Sequence, residues 1–306
     1  MTEPPFDPTL LLVATGAAIL CLWWLAWLLV RLSARAVGRL PELLAGRRAW
    51  TRIHPLRAML MQRLPRTYAF LARRFDPRDF TGLPLTLLAA AALYLVSLFG
   101  GLVEELGEAE ELAAFDNRID ALVNPWRTTY LADLFAWITD LGGSAALAAV
   151  AFVTTGFLWA YRRLHFILPL WVNIVGSQAT TYLGKFAFDR ARPEFVTDVT
   201  AVSPSFPSGH TSGAMAVYGF IAYAIARDLT DPRQRFEVTF WTAVFIALIA
   251  FSRVFLSVHY ASDVVAGFLV GGFWLLVGFA VAEYLRRSPP GGEDTEASGG
   301  SGATSR

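Results

Sequence analysis

Residues 205–226 read SFPSGHTSGAMAVYGFIAYAIA. A polar head holding Pro207, Ser208, Gly209 and His210 gives way to a run apolar enough to enter a membrane. The run is the fifth of seven such blocks: Leu10–Val30, Leu83–Val103, Ser144–Tyr161, Phe166–Phe186, Ser208–Ala226, Val238–Leu256 and Val264–Ala282. Each is about as long as a helix needs to cross a hydrocarbon core. The fifth and sixth carry polar residues at one end. The whole chain is 55% hydrophobic and only 17% charged over 306 residues, far from the balance of a soluble domain. These blocks predict an all-α, polytopic membrane protein of seven spans.

The first block is expected to stay in place as a span, because nothing basic precedes it and no small-residue cleavage pattern follows. The single cysteine, Cys21, lies inside it, so no intramolecular disulfide can form. A net charge of +1 says little, but its distribution says more. Residues 31–80 carry twelve arginines against three acids, Glu42, Asp76 and Asp79. Residues 104–141 carry nine acids against Arg118 and Arg127. Basic connections lie on the cytoplasmic side, which places the N-terminus outside and the C-terminus inside.

Four regions follow: an N-terminal transmembrane helix over 1–33, a basic segment over 34–80, a six-span core over 81–288 and a tail over 289–306. Within the basic segment, short helical stretches broken by Pro41, Pro55 and Pro65 suit either the anionic inner leaflet or a solvated linker. The tail lacks apolar residues that pack and is expected to be disordered. The sequence has no internal repeat, no nucleotide-binding glycine loop and no metal-ligand spacing. Neither a cofactor, a metal nor a nucleic-acid partner is expected. The oligomeric state is left open.

Following the chain through these spans brings its functional candidates to one face. The fourth block ends with Lys185 and Arg192, the fifth begins at Ser208 and His210, the sixth ends with Arg253 and His259, and the seventh begins at Asp263. A single such cation reads equally well as a snorkelling anchor. Three cations, two histidines and an acid at one level point instead to a site. Lys185 is the only lysine beside 25 arginines, which fits either a compact ammonium wanted there or chance. His259 and Asp263 are four residues apart, close to one turn, so the carboxylate can hold one ring nitrogen and leave the other free as nucleophile or base. Ser208 and Gly209 lie where a helix starts, and backbone N–H groups there bind anions. The ligand implied is a phosphate carried at the membrane surface.

At these residues the sequence resembles the type-2 phosphatidic acid phosphatase superfamily, which also includes vanadium haloperoxidases and acid phosphatases. Its three-part signature is met by KFAFDRARP (Lys185–Pro193), by PSGH (Pro207–His210) and by SRVFLSVHYASD (Ser252–Asp263). The resemblance covers about residues 81–288. It implies a six-helix phosphatase core, to which the first helix is an addition. It also implies that His259 attacks phosphorus with Asp263 orienting its ring, and that His210 protonates the departing oxygen. Lys185, Arg192, Arg253, the Ser208 hydroxyl and the Gly209 amide would hold the phosphate oxygens, with no metal or other cofactor.

The expected substrate is a lipid phosphate or diphosphate met at the outer face, with undecaprenyl diphosphate slightly favoured. Phosphatidate, phosphatidylglycerol phosphate and lipid A phosphates are the alternatives. A vanadate-dependent haloperoxidase fits seven spans poorly, a non-catalytic lipid-binding protein would not need every motif residue, and a transporter would place its charges at mid-membrane. The charge pattern also generates a test of orientation. A reporter fused after Arg306 should be active only in the cytoplasm; activity confined to the exterior would invert the whole arrangement.

Overall fold

The structure, a computed structural model, describes residues 8–45, 59, 61–76, 79–108, 110–194 and 202–287. The expected disordered tail, part of the basic segment, Pro55 included, and the 195–201 stretch lie outside these. Among the described residues the regular structure is helical, with no strand.

The helices run α1 (Pro8–Ala45), α2 (Pro65–Arg74), α3 (Leu83–Glu108), α4 (Glu110–Val123), α5 (Thr129–Asp140), α6 (Ser144–Ala160), α7 (Ile167–Phe188), α8 (Gly209–Asp228), α9 (Pro232–Phe255) and α10 (Ala261–Arg287). Seven of them stand where the apolar blocks lie. By length and apolarity, α1, α3, α9 and α10 each contain a candidate span, and α5 with α6 forms a further one, bent by 42° at a short break. Helices α7 and α8 fall below that measure because both carry polar residues in their interiors.

The polar residues of α7 obey a rule. Asn173, Ser177, Thr181 and Lys185 recur every fourth position and are buried, so they form one stripe along a single helix face. Asn173 donates to the Ala216 carbonyl at 2.6 Å, Ser177 to the Ser212 carbonyl at 3.3 Å, and Thr181 shares a 2.8 Å bond with the Ser212 hydroxyl. Each partner lies on α8. Polar groups of this kind tie membrane helices together at about 0.6–2 kcal/mol apiece. The stripe ends at Lys185, so the same face that seals α7 to α8 delivers the lone ammonium to the end of the bundle.

Helix α10 lies against α3, α7 and α8. Its Gly267 and Gly271 make the small-xxx-small pattern that lets backbones approach closely. A Cβ on Gly267 would stand 2.8 Å from the Ser208 carbonyl oxygen and from Thr211 Cβ; one on Gly271 would stand 2.7 Å from Met215 Cβ. At the other end of the bundle Phe166, Leu170, Phe220, Ala224, Leu275 and Ala282 form an apolar core. Beyond it lie the ion pairs Arg163–Asp228, Arg227–Glu283 and Arg286–Glu283.

One local expectation needs correction. Helix α1 runs unbroken through Arg31–Arg39 and Pro41, so Pro41 does not break the basic segment. Pro41 lies near the C-terminal end of α1. Pro65, by contrast, opens α2 at a helical N-terminal position, where its missing N–H costs nothing. At about 1.5 Å per residue α1 is roughly 57 Å long, longer than a membrane is thick. Its Trp27 ring packs 5.1 Å from Phe236 at the start of α9.

The tight α8–α10 contact generates a test. Gly267→Ala should lower stability by about 1–3 kcal/mol, the usual cost of overpacking, and lower activity by displacing Ser208. Gly156→Ala, where the added carbon meets nothing within 4 Å, should do neither. Equal thermal unfolding of the two variants in detergent would count against the close approach.

Candidate active site

Lys185, Arg192, His210, Arg253 and His259 line one cavity of about 450 Å³, with Gly209 beside them. Six of the sequence-predicted residues therefore converge from five elements, whereas the buried Ser208 and Asp263 do not line the cavity. Lys185 stands in the last turn of α7. Asp189 then takes a left-handed conformation, φ 40°, which ends that helix and turns the chain toward Arg192. The turn is pinned by Ser205, whose N–H and hydroxyl both donate to the Arg190 carbonyl, at 2.9 and 3.2 Å.

Each cation is aimed by oxygens that are not carboxylates. Lys185 donates to the Pro204 carbonyl. Arg192 donates from Nε to the Ser203 carbonyl at 2.7 Å and from Nη1 to the Val258 carbonyl at 2.5 Å. Arg253 donates from Nη1 to Thr139 Oγ1 at 2.6 Å, and its buried Nε has no partner among the described residues. The pocket thus retains net positive charge for an incoming anion. Burial lowers the pKa of Arg192, partly opposed by Asp263, but a guanidinium keeps its charge in proteins.

His259 lies in the short connection between α9 and α10. A left-handed Ser257, φ 55°, reverses the chain there, and the amides of Val258 and His259 both bond the Arg253 carbonyl at 3.2 Å. Its Nδ1 faces Asp263 Oδ2 at 3.3 Å, and its Nε2 faces Arg192 Nη1 at 3.3 Å. A guanidinium only donates, so Nε2 must present its lone pair and Nδ1 carries the hydrogen. Burial pushes the imidazole down to about 4, partly offset by the hydrogen bond to Asp263. The ring is consequently neutral at physiological pH, with its free nitrogen directed at the cavity.

His210 sits in the first turn of α8, across the cavity. The turn between α5 and α6 closes over it. A Cβ on Gly142 would lie 3.4 Å from the His210 ring and 2.5 Å from Ile249, so the absence of a side chain lets that turn reach the imidazole. Ser208 is wholly buried; its N–H donates to the Asp263 carbonyl at 3.0 Å and its Oγ accepts from Thr211 at 3.1 Å. Asp263 stands behind His259 rather than in the cavity wall. Among the described residues no group of three or more His, Cys, Asp or Glu is placed to hold a metal.

Three contributors have no mark in the sequence motifs. Thr139 orients Arg253. Asp116, buried on α4, accepts from Ser262 N at 2.9 Å and from Ser262 Oγ at 2.6 Å. Arg190 joins Asp116 to Asp263, at 2.9 and 2.6 Å. Only Arg190 lies within a motif, as an unassigned position. Away from the cations, the cavity continues between α6 and α7 along Leu147, Ala148, Ala151, Phe152, Trp171 and Ile174, with the Phe152 and Trp171 rings 5.1 Å apart.

Comparison with known proteins gives the family and a similar fold. A family model described as the PAP2 superfamily matches residues 166–287. The chain is 32% identical over 156 residues to the phosphatidylglycerophosphatase B of Bacillus subtilis strain 168, an alignment covering 50% of this chain and 77% of that protein. The fold is similar to the crystal structure of a transmembrane PAP2-type phosphatidylglycerolphosphate phosphatase from Bacillus subtilis. That match has a TM-score of 0.58 at 27% identity, over 65% of this chain and 98% of the other.

The role of Thr139 generates a prediction. Thr139→Val keeps the shape but removes the acceptor from a buried guanidinium, which costs about 1–3 kcal/mol when left unmade. The inhibition constant of inorganic phosphate should rise roughly 10-fold on that scale. An unchanged constant would remove Thr139 from the site.

Proposed function

Because this chain belongs to the PAP2 superfamily and is an integral membrane lipid phosphatase, we propose that its substrate is a glycerolipid phosphomonoester, phosphatidylglycerol phosphate in the first place. The observation that carries a lipid is the continuous cavity, cationic at one end and apolar between α6 and α7 at the other. Its volume of about 450 Å³ lies within the usual range of small-molecule sites. The choice of headgroup is supported by the Bacillus subtilis relative named for phosphatidylglycerophosphate. That relative favours a glycerolipid over the undecaprenyl diphosphate preferred from sequence.

In the proposed mechanism Lys185, Arg192 and Arg253 hold the phosphoryl oxygens together with the Gly209 amide. The Ser208 hydroxyl, which accepts from Thr211, keeps its own hydrogen to donate. This positioning and charge stabilisation are the main needs of phosphoryl transfer, and three cations supply them without calling on a metal. His259 Nε2 forms a bond to phosphorus as the bond to the ester oxygen breaks. The departing oxygen takes its proton from His210, protonated in the substrate complex. Water then attacks the phosphohistidine, gives its proton to the now neutral His210, and phosphate leaves. Asp263 holds the Nδ1 hydrogen throughout.

The proposed orientation has the site facing outward, with both the arginine-rich 31–80 segment and the C-terminus inside. Its support is that Arg163, Arg227, Arg286 and Arg287 cluster at the opposite end of the bundle.

Phosphate release by the purified protein from phosphatidylglycerol phosphate, phosphatidate, undecaprenyl diphosphate and lipid A tests the substrate. The highest kcat/KM is expected for phosphatidylglycerol phosphate, and a clear preference for the polyprenyl diphosphate would overturn the choice. In the same assay His259→Ala should abolish phosphoenzyme formation. His210→Ala should slow lipid hydrolysis about 10²–10⁴-fold but cost much less with nitrophenyl phosphate, whose leaving group needs no proton. An equal penalty on both substrates would contradict its role.

A further inference from the structure

The carboxylate behind His259 is itself held by a second layer of charge. Asp263 is fully buried, and its two oxygens have separate duties. Oδ2 accepts from His259 Nδ1 at 3.3 Å and from the Tyr260 amide at 2.9 Å. Oδ1 accepts from Arg190 Nη1 at 2.6 Å. The same Nη1 donates to Ser262 Oγ at 2.8 Å, while Nη2 donates to Asp116 Oδ2 at 2.9 Å. The guanidinium lies 4.2 Å over the Tyr260 ring, a placement that adds cation–π attraction and fixes its plane.

We propose that Arg190, clamped by Asp116, is a positioning residue for the reaction: the pair fixes and charge-balances Asp263, and through it aims His259 at phosphorus. This rests on the reading of His259 as the nucleophile. Three physical reasons lead to it. A buried carboxylate with one unpaired oxygen is costly, and nothing but Arg190 reaches Oδ1 among the described residues. With Oδ1 occupied, only Oδ2 remains for the imidazole, so the ring has one orientation rather than two. Arginine is also the one side chain whose rigid fork bridges two carboxylates at once.

Asp116 completes the clamp from a different helix. By accepting from the Ser262 amide and hydroxyl, it satisfies a free N–H at the start of α10 and ties α4 to the turn that carries Asp263. The order is therefore Asp116, Arg190, Asp263, His259 and then the phosphorus atom. Neither Asp116 nor Arg190 lines the 450 Å³ cavity, so phosphate binding should not depend on them.

The test uses the full-length protein in detergent with a lipid phosphate that the wild type hydrolyses, and measures kcat beside the inhibition constant of inorganic phosphate. Arg190→Gln and Asp116→Asn should each lower kcat about 10- to 100-fold, the scale of a misaimed reacting group, with the phosphate constant unchanged. The double variant should be no worse than Arg190→Gln alone, because residues acting through one another are not additive. Arg190→Lys should recover part of the loss. Should Arg190→Gln fail to fold, Asp116→Asn, which keeps an acceptor for Ser262, and Arg190→Lys carry the measurement. Folded variants with kcat within about 2-fold of wild type, strictly additive losses, or parallel changes in kcat and the phosphate constant would each overturn the proposal. His259→Ala separates the two readings. If it still forms a phosphoenzyme, the nucleophile is wrong; if it is inactive while the Arg190 and Asp116 variants are normal, only the clamp is.

Discussion

The arrangement of the bundle end follows from holding three cations together where water is scarce. Lys185, Arg192 and Arg253 line one cavity, and like charges so placed repel strongly at a low effective dielectric. Carboxylates inside the cavity would neutralise them, but would also cancel the attraction for phosphate. Neutral oxygens supply the balance instead: the carbonyls of Ser203, Pro204 and Val258 and the hydroxyl of Thr139. Each orients a cation while leaving its charge in place. The loop before α8 and the turn between α9 and α10 are shaped to bring those carbonyls within reach.

Helix packing serves the same end. The polar stripe on α7 and the glycines of α10 both press upon α8, whose first turn carries Ser208, Gly209 and His210. Close approach at Gly267 sets the depth of that turn, and the Ser208 amide bonds the Asp263 carbonyl across the contact. The start of α8 and the carboxylate that bonds His259 are thereby tied together. Toward the other end the packing becomes apolar, with Phe166 and Phe220 at its centre, and the ion pairs Arg163–Asp228, Arg227–Glu283 and Arg286–Glu283 lie beyond it.

The apolar end of the cavity lies beside the bend between α5 and α6. The break at Leu141–Gly143 lets the chain fold against His210 while α6 departs at an angle, and the groove runs past Phe152 and Trp171. One short turn thus borders both the His210 side of the cavity and its apolar end.

Much of this was legible in the sequence because it depends on local pattern. Apolar blocks of membrane length predict helices wherever they occur, and motif residues at block ends must meet when successive spans reverse direction. The cations, both histidines and Asp263 stand out as candidates on that ground. The 104–141 connection was read only for its charge, since Asp116 on a half-exposed helix is indistinguishable from any solvated acid until its partner is known. That partner, Ser262, is 146 positions away, and the acceptor for Arg253 lies 114 positions away. No periodicity encodes such pairs. The polar stripe of α7 is four-periodic and could have been seen, but polar residues in a span lowered its apolarity and hid the regularity. The sequence by itself determined the helices and the residues that must face one another. The tertiary structure alone decided which buried acid meets which arginine and where the apolar end of the cavity opens, because those depend on helix approach distances and on the bend at Gly142.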